Sequence, residues 1–202
     1  TPNVNSLMFD RQGGVWLGTV ARGLLYAKAY PSPFSSYPMQ SAEAAPYVKV
    51  LDQQSVKDEK LPYKINCIFR DSRGWEWLGT YTGLVLKRPG KPEQRITRKD
   101  GLINEVIHAI IEDDQHQIWV STSYGVVRLY IHGDTIYHLE AYINQDNIPN
   151  DAFVNGRAAK MEDGTIVMQT VDRVVTFNPA HFQGEHFGEM VLFPKLCRVM
   201  VN

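Results

Sequence analysis

Few residues in this sequence are of a type and spacing that would do chemistry. Its six His (His108, His116, His132, His138, His181 and His186) are scattered over turns and strand ends, without the spacing that brings several ligands to one metal ion. Asp113-Asp114 and Glu162-Asp163 are the paired carboxylates. Glycoside hydrolysis wants two such groups facing each other across a cleft, whereas neighbours in a turn cap backbone donors. There is no G-x-S-x-G, no H-E-x-x-H, no Gly-rich phosphate loop and no EF-hand run. No catalytic residue, metal ligand or cofactor is therefore expected. The groups that remain are suited to binding: Asn5, Asn66, His108, Asn155 and Arg157. Amides match the mixed donors and acceptors of a sugar's hydroxyls, and a guanidinium matches a sulfate or carboxylate on an acidic sugar.

Composition excludes several classes of partner. The formal charge of -1 over 202 residues, with no Lys/Arg cluster, gives no electrostatic case for nucleic acid. No apolar run approaches the length of a membrane span. The chain opens inside a repeat with no initiator Met or signal peptide, so it reads as a piece of something larger. Cys67 and Cys197 make no disulfide framework and are expected as unpaired thiols. Cys67 takes a slot that Ser6 and Ala109 fill in the other repeats, one for a small buried residue.

The candidate binding residues must be positioned by a repeated unit, and the sequence writes that unit three times. Aligning Trp16, Trp77 and Trp119 places an aliphatic residue twelve before (Val4, Ile65, Ile107) and an Asp six before (Asp10, Asp71, Asp113). A Thr stands three after (Thr19, Thr80, Thr122) and a Gly six or seven after (Gly23, Gly83, Gly125). Period-two alternation and dense β-branched residues make each unit strand, turn, Trp-bearing strand, turn, strand. In the third unit His116 replaces the turn Gly, which requires a negative φ or acceptance of left-handed strain. Thr135–Tyr142 supplies that unit with a fourth, outer strand. A decayed fourth copy puts Val167 at the Trp position and Arg173 at the Gly position, as terminal repeats often do.

Repeated four-stranded antiparallel units, each with one Trp, imply an all-β fold of β-propeller blades, about four of them, as a fragment of a larger propeller. The indoles, with Asp10, Asp71, Asp113, Gly23, Gly83 and Gly125, are read as structural core. The expected organisation is a blade at 1–29 and a Pro-rich spacer or insertion at 30–60. Blades follow at 61–100 and 101–146, then a closing degenerate blade at 147–182 and the start of a following β domain at 183–202. Propellers gather inter-blade loops at one end of the ring, which would bring Asn5, Asn66, His108, Asn155 and Arg157 towards one face.

The pattern aliphatic-x₂-aliphatic-x₂-Asp-x₂-Gly-x₂-Trp-x-Gly-Thr-x₂-Gly-Leu resembles the two-component regulator propeller repeat. That repeat builds periplasmic sensor regions of hybrid histidine kinases in gut Bacteroidetes. The resemblance implies an extracytoplasmic sensor segment that is not itself an enzyme. It further implies an oligosaccharide or other small-molecule ligand, and signal relay through the rest of the same sensor chain. The rival readings are a propeller-type polysaccharide lyase or hydrolase, marked by convergent carboxylates, and a protein-interaction scaffold. Four units do not fill the larger rings of the family, so both outermost blades are expected to expose faces that favour self-association.

Overall fold

The structure is a computed structural model that describes residues 4–9, 14–20, 23–28, 32–54, 64–143 and 147–182. Asp10 and its turn, Cys197, and the tail at 183–202 lie outside the described residues. Among those described, the strands form separate antiparallel sheets, one per repeat. Blade 1 has β1 (Val4–Phe9), β2 (Gly14–Thr19) and β3 (Gly23–Lys28). After it come β4 (Ser35–Pro38) and α1 (Ala45–Gln54). Blade 2 is β5 (Ile65–Arg70), β6 (Glu76–Thr80), β7 (Gly83–Lys87) and β8 (Gln94–Ile96). Blade 3 is β9 (Ile107–Glu112), β10 (Ile118–Thr122), β11 (Gly125–His132) and β12 (Thr135–Tyr142). Blade 4 is β13 (Phe153–Lys160), β14 (Ile166–Thr170) and β15 (Arg173–Phe177), completed by β4 as its fourth strand.

The repeated residues have repeated structural duties. Asp71 Oδ1 accepts from the backbone N–H of Arg73 (3.0 Å) and Trp75 (2.9 Å), and Oδ2 accepts from the Trp77 indole N–H (3.0 Å). Asp113 does the same for Gln115, Gln117 and, at 2.8 Å, Trp119. One carboxylate thus closes the first turn and fixes the indole. At the second turn the Thr80 hydroxyl donates to the Gly83 carbonyl (2.7 Å) and accepts from the Thr82 amide (3.0 Å). Thr122 and Gly125 repeat the arrangement. Gly83 is needed because a Cβ there would stand 2.6 Å from the Ile96 carbonyl of the outer strand. His116 takes the left-handed conformation, φ 60°, matching φ 77° at Gly74, so the strain is accepted.

The buried indoles each face the following blade. Trp77, Leu84 and Leu86 pack into one core with Ile107, Ile118 and Leu129 of blade 3. Trp119, Val126 and Tyr142 pack with Ile166, Met168 and Phe177 of blade 4, the Trp119 and Phe177 rings 4.6 Å apart. Val167 and Val174 occupy the corresponding outward positions of blade 4, and α1 covers them: Ala44, Leu51, Ala159, Val167 and Val174 form a third core. Ala44, Tyr47, Val48 and Leu51 recur at helical spacing and make one apolar ridge, and Pro46 in the first turn is where a helix tolerates proline. Fully burying Leu51 contributes about 2 kcal/mol. The expectation that both outermost blades expose a face is thereby corrected. Blade 1 does expose Leu7, Met8 and Leu24, but the outward face of blade 4 is closed by the stretch read as a spacer.

Candidate functional site

The innermost strands β1, β5, β9 and β13 each lose register near their first residue. The irregularity falls between Val4 and Ser6, between Ile65 and Cys67, opposite Ser121/Thr122 in β9, and between Phe153 and Ala158. Asn5, Asn66 and His108 are the residues at these bulges, and Asn155 and Arg157 lie inside the longer one of blade 4. A bulge turns a side chain out of the regular alternation, and bulges are over-represented beside binding sites. The second turn of each blade lies at the same end, since Thr80 pairs with Ile65 and Thr122 with Ile107. The spacers are pinned there too, the Gly83 amide donating to the Glu105 carbonyl at 2.8 Å.

The five candidates do not share one duty. His108 Nδ1 lies 2.7 Å from Asn155 Oδ1, and its Nε2 lies 2.9 Å from the Ser123 hydroxyl. If Nδ1 carries the proton and donates to the amide oxygen, Nε2 accepts from Ser123, and the Asn155 NH₂ is left for a further acceptor. Beside Ser123 a hollow of about 290 Å³ is bounded by Tyr124, Asn150 and Asp151. Asn66 is buried and donates to the Ile107 carbonyl (2.9 Å), stitching blade 2 to blade 3. Asn5 is exposed at the same repeat position of blade 1.

Arg157, expected on the same face, is committed to α1. It donates to Gln169 Oε1 (2.6 Å), to the Leu51 carbonyl (3.3 Å) and to Asp52 Oδ1 (2.7 Å). A guanidinium at a helix C-terminus satisfies an orphan carbonyl and suits the negative end of the dipole. Asn150 and Asp151 belong to the loop that the sequence brings to this face, whereas Ser123 was not singled out from sequence. The signal was available for Ser123, which follows the turn Thr of its repeat.

At the opposite end, Ser72, Glu112 and His116 are the nearest approach to a catalytic set. Ser72 donates from its hydroxyl (2.7 Å) to Glu112 Oε1 and from its amide (2.8 Å) to Oε2. The same His116 Nδ1 lies 2.9 Å from Ser72 Oγ and 3.2 Å from Glu112 Oε1. A relay needs the base between nucleophile and carboxylate, each on its own ring nitrogen, so this triangle is an inter-blade stitch. No group of three or more metal-binding side chains occurs among the described residues. The Cys67 thiol, buried beneath Gly79, is pushed up to about 12 by burial and is not a nucleophile at neutral pH.

Comparison with known proteins agrees with the repeat geometry. The family described as "Two component regulator propeller" matches residues 1–21 and 101–124. The extracellular domain of the hybrid two component system BT3049 from B. thetaiotaomicron is 28% identical, with a TM-score of 0.54, over 87% of this chain and 22% of that one. This chain therefore spans about a fifth of that relative's length. The extracellular domain of the one component system BT4673 from the same organism is more distant, at 18% identity and a TM-score of 0.42 over 83% of this chain and 21% of that one. A catalytically inactive virginiamycin B lyase from Staphylococcus aureus shares 10% identity, with a TM-score of 0.46 over 89% of this chain and 53% of that one. Neither of these two bears on function. No curated protein sequence matches the chain. The Asp–indole bond, the Thr-x-x-Gly turn and the bulged inner strand recur in blades 2 and 3, and the stretches at 1–21 and 101–124 match the two-component regulator propeller repeat.

Proposed function

We propose that this chain is a ligand-sensing part of the extracytoplasmic, periplasmic propeller of a hybrid two-component sensor histidine kinase, and that its ligand is derived from a glycan. The kinase chemistry belongs to another part of that sensor, and this part is not an enzyme. The observation that carries the reading is the juxtaposition of His108, Asn155 and Ser123 at the bulged end of blades 3 and 4, beside a polar hollow. Such a cluster supplies donors and acceptors of both kinds on a rigid scaffold, which is what a polyhydroxyl ligand requires. Support also comes from the likeness to the extracellular domain of BT3049. Relay to the kinase requires the ligand to bind two arrangements of the sensor with different affinity.

The test is calorimetry of the complete extracytoplasmic region against a panel of neutral and acidic oligosaccharides. His108→Ala and Asn155→Ala should each weaken binding about tenfold or more, since both would leave a buried polar partner unmet in the complex. Unchanged affinity in both variants, or release of shortened saccharide, would overturn the proposal, the latter in favour of a propeller lyase or hydrolase.

A further inference from the structure

The spacers leading into blades 3 and 4 carry the same kind of polar pair, Asn104-Glu105 and Asn150-Asp151. Their backbones are placed alike: the next carbonyl accepts from the second turn of its own blade, Val106 from the Ser123 amide (3.2 Å) and Ala152 from the Val171 amide (3.0 Å). The first pair is used up by its own loop. Asn104 Oδ1 accepts from the Val106 amide (2.8 Å), and Glu105 Oε1 accepts from the Arg98 amide (3.2 Å). The second pair has no such duty, since neither the Asn150 nor the Asp151 side chain has a hydrogen-bond or ion-pair partner among the described residues. The turns differ as well. Gly83 of blade 2 closes on its spacer by donating to the Glu105 carbonyl (2.8 Å), whereas Gly125 of blade 3 makes no such bond to Asp151. The gap left between them is the hollow of about 290 Å³.

The groups around that gap have a definite chemistry. Tyr124 is 65% exposed at the tip of its turn, and its repeat counterpart is Thr82, so the fold does not require an aromatic ring there. The electron-rich face of such a ring attracts C–H groups, and a sugar ring presents them on its flat side. A carboxylate accepts only, and its two oxygens suit two neighbouring hydroxyls; an amide both donates and accepts. Asp151 is the one charged side chain bordering the hollow among the described residues. Arg157, the cation expected on this face, is turned to Asp52 and Gln169. Arg173 borders a second hollow across Pro149 and Asn150, and it is spent on the Ser36 carbonyl and hydroxyl. A carboxylate or sulfate entering beside Asp151 would therefore meet a like charge with no counter-ion. The volume lies at the lower limit of ligand pockets, so it suits one sugar ring and not several.

We propose that this hollow takes a single uncharged sugar unit and selects against acidic saccharides. One face of the sugar ring lies on Tyr124, a pair of its hydroxyls donates to Asp151, and Asn150 and Ser123 meet the remaining polar edge. Ser123 connects this pocket to His108 and Asn155 through the hydrogen bond at 2.9 Å, so the two clusters form one continuous site. The inference rests on the reading of the chain as part of a glycan sensor and names the class of glycan.

Calorimetry of the complete extracytoplasmic region with matched probes tests it: neutral oligosaccharides, each beside the same oligosaccharide with its primary hydroxyls oxidised to carboxylates. The neutral member of a binding pair should bind about tenfold or more tighter. Asp151→Asn should narrow that gap about tenfold, raising affinity for the oxidised member and lowering it for the neutral one. Tyr124→Ala should weaken neutral binding about tenfold, whereas Tyr81→Ala, at an exposed turn of blade 2 that does not border the hollow, should leave it unaltered. Urea midpoints of the Asp151 and Tyr124 variants should match the parent, because neither side chain has a partner to lose among the described residues. Oxidised probes bound as tightly as neutral ones would overturn the inference and leave the glycan reading standing. So would neutral binding that falls with His108→Ala but ignores both Asp151→Asn and Tyr124→Ala. Absence of binding to every saccharide would overturn the glycan reading itself and this inference with it.

Discussion

Trp119 and Asp113 are joined by a single hydrogen bond, the indole N–H donating to Oδ2 at 2.8 Å, and the same carboxylate holds the turn between them. Arg128 adds a charge-assisted bond to that oxygen at 3.2 Å, with its guanidinium 5.1 Å from the Trp119 ring centre. The fixed separation of six residues between Asp and Trp is what this geometry demands. Shifting the indole by one position along its strand would put it on the wrong face of the sheet.

Removing that carboxylate should be among the most damaging single changes in the chain. Asp113→Ala leaves the buried Arg128 without its charge partner and the Trp119 N–H without an acceptor, at a cost of about 3 to 5 kcal/mol. Asp113→Asn keeps the acceptor oxygen for the turn and should cost less. Asp163→Ala removes one exposed turn contact and should cost no more than about 1 kcal/mol. Urea titrations of the three variants give the order directly.

Two glycines at one repeat position should respond differently to alanine. Gly125, at φ 142°, sits against the Tyr142 carbonyl, and a methyl group there would overlap it. Gly125→Ala therefore adds overpacking to backbone strain and should cost about 3 kcal/mol or more. Gly23, at φ 70°, has open space where a methyl group would stand, with nothing within 4 Å, so Gly23→Ala should cost only the left-handed penalty of about 1 kcal/mol. Equal midpoints for the two variants in thermal melts would contradict the close approach of β12.

Much of this was readable in the residues, and what was not has a physical reason. Identical spacing around Trp16, Trp77 and Trp119 gives the strands, the turns and the order of the blades, because local pairing follows local sequence. The destination of β4 was not readable, since Ser36 meets Arg173 across a separation of 137 residues and four extended residues carry no address. The helix had a signal in the spacing of Ala44, Val48 and Leu51, masked by Pro-rich surroundings. At the site, type alone placed Asn66 and His108 together. Only the bulge geometry separates a buried stitch from a side chain beside an open hollow.

That separation predicts opposite behaviour for two equivalent positions. Asn66→Ala orphans the Ile107 carbonyl between blades and should destabilise by about 1 to 2 kcal/mol, with lower denaturation midpoints. His108→Ala removes a half-exposed side chain, and its effect should appear in ligand affinity with less than about 1 kcal/mol lost in stability. Chemical denaturation and calorimetry on the same preparations would show the crossover.

High pH should unfold the protein through groups that are buried neutral. Burial raises the Cys67 thiol from 9.0 to about 12, and burial followed by the neighbouring Glu140 raises the hydroxyls of Tyr130 and Tyr142. The folded chain keeps these protons where the unfolded chain releases them, so their stabilisation is complete below the unfolded values and fades as pH rises past them. Cys67 alone gives a fall of about 1.4 kcal/mol per pH unit starting near pH 9, and the tyrosines steepen it above about 10. In the Cys67→Ser variant the first segment of that decline should vanish. Iodoacetamide at pH 8 should leave Cys67 of the native protein unlabelled.

The open side of the array carries the last prediction. Leu24 is 64% exposed, while its counterparts Leu84 and Val126 are each 0% exposed; Leu7 is 55% exposed against 5% for Ile110. In blades 2 and 3 the Leu24 position is covered by an adjoining sheet or by the outer strand of its own blade, so the same residue in blade 1 is left without its cover, whereas at the Leu7 position Ile68 of blade 2 is also exposed, at 41%. An apolar sheet face of this kind, beside a strand edge with no partner among the described residues, favours association with another chain. Blade 4 offers no equivalent face because α1 occupies it. Light scattering over a concentration series should show reversible association of this chain, suppressed by Leu24→Asp and unaffected by Lys49→Asp on the exposed side of α1. A strictly monomeric chain at the highest concentration would mean that blade 1 covers its own apolar residues, and the open side would then have to be sought elsewhere.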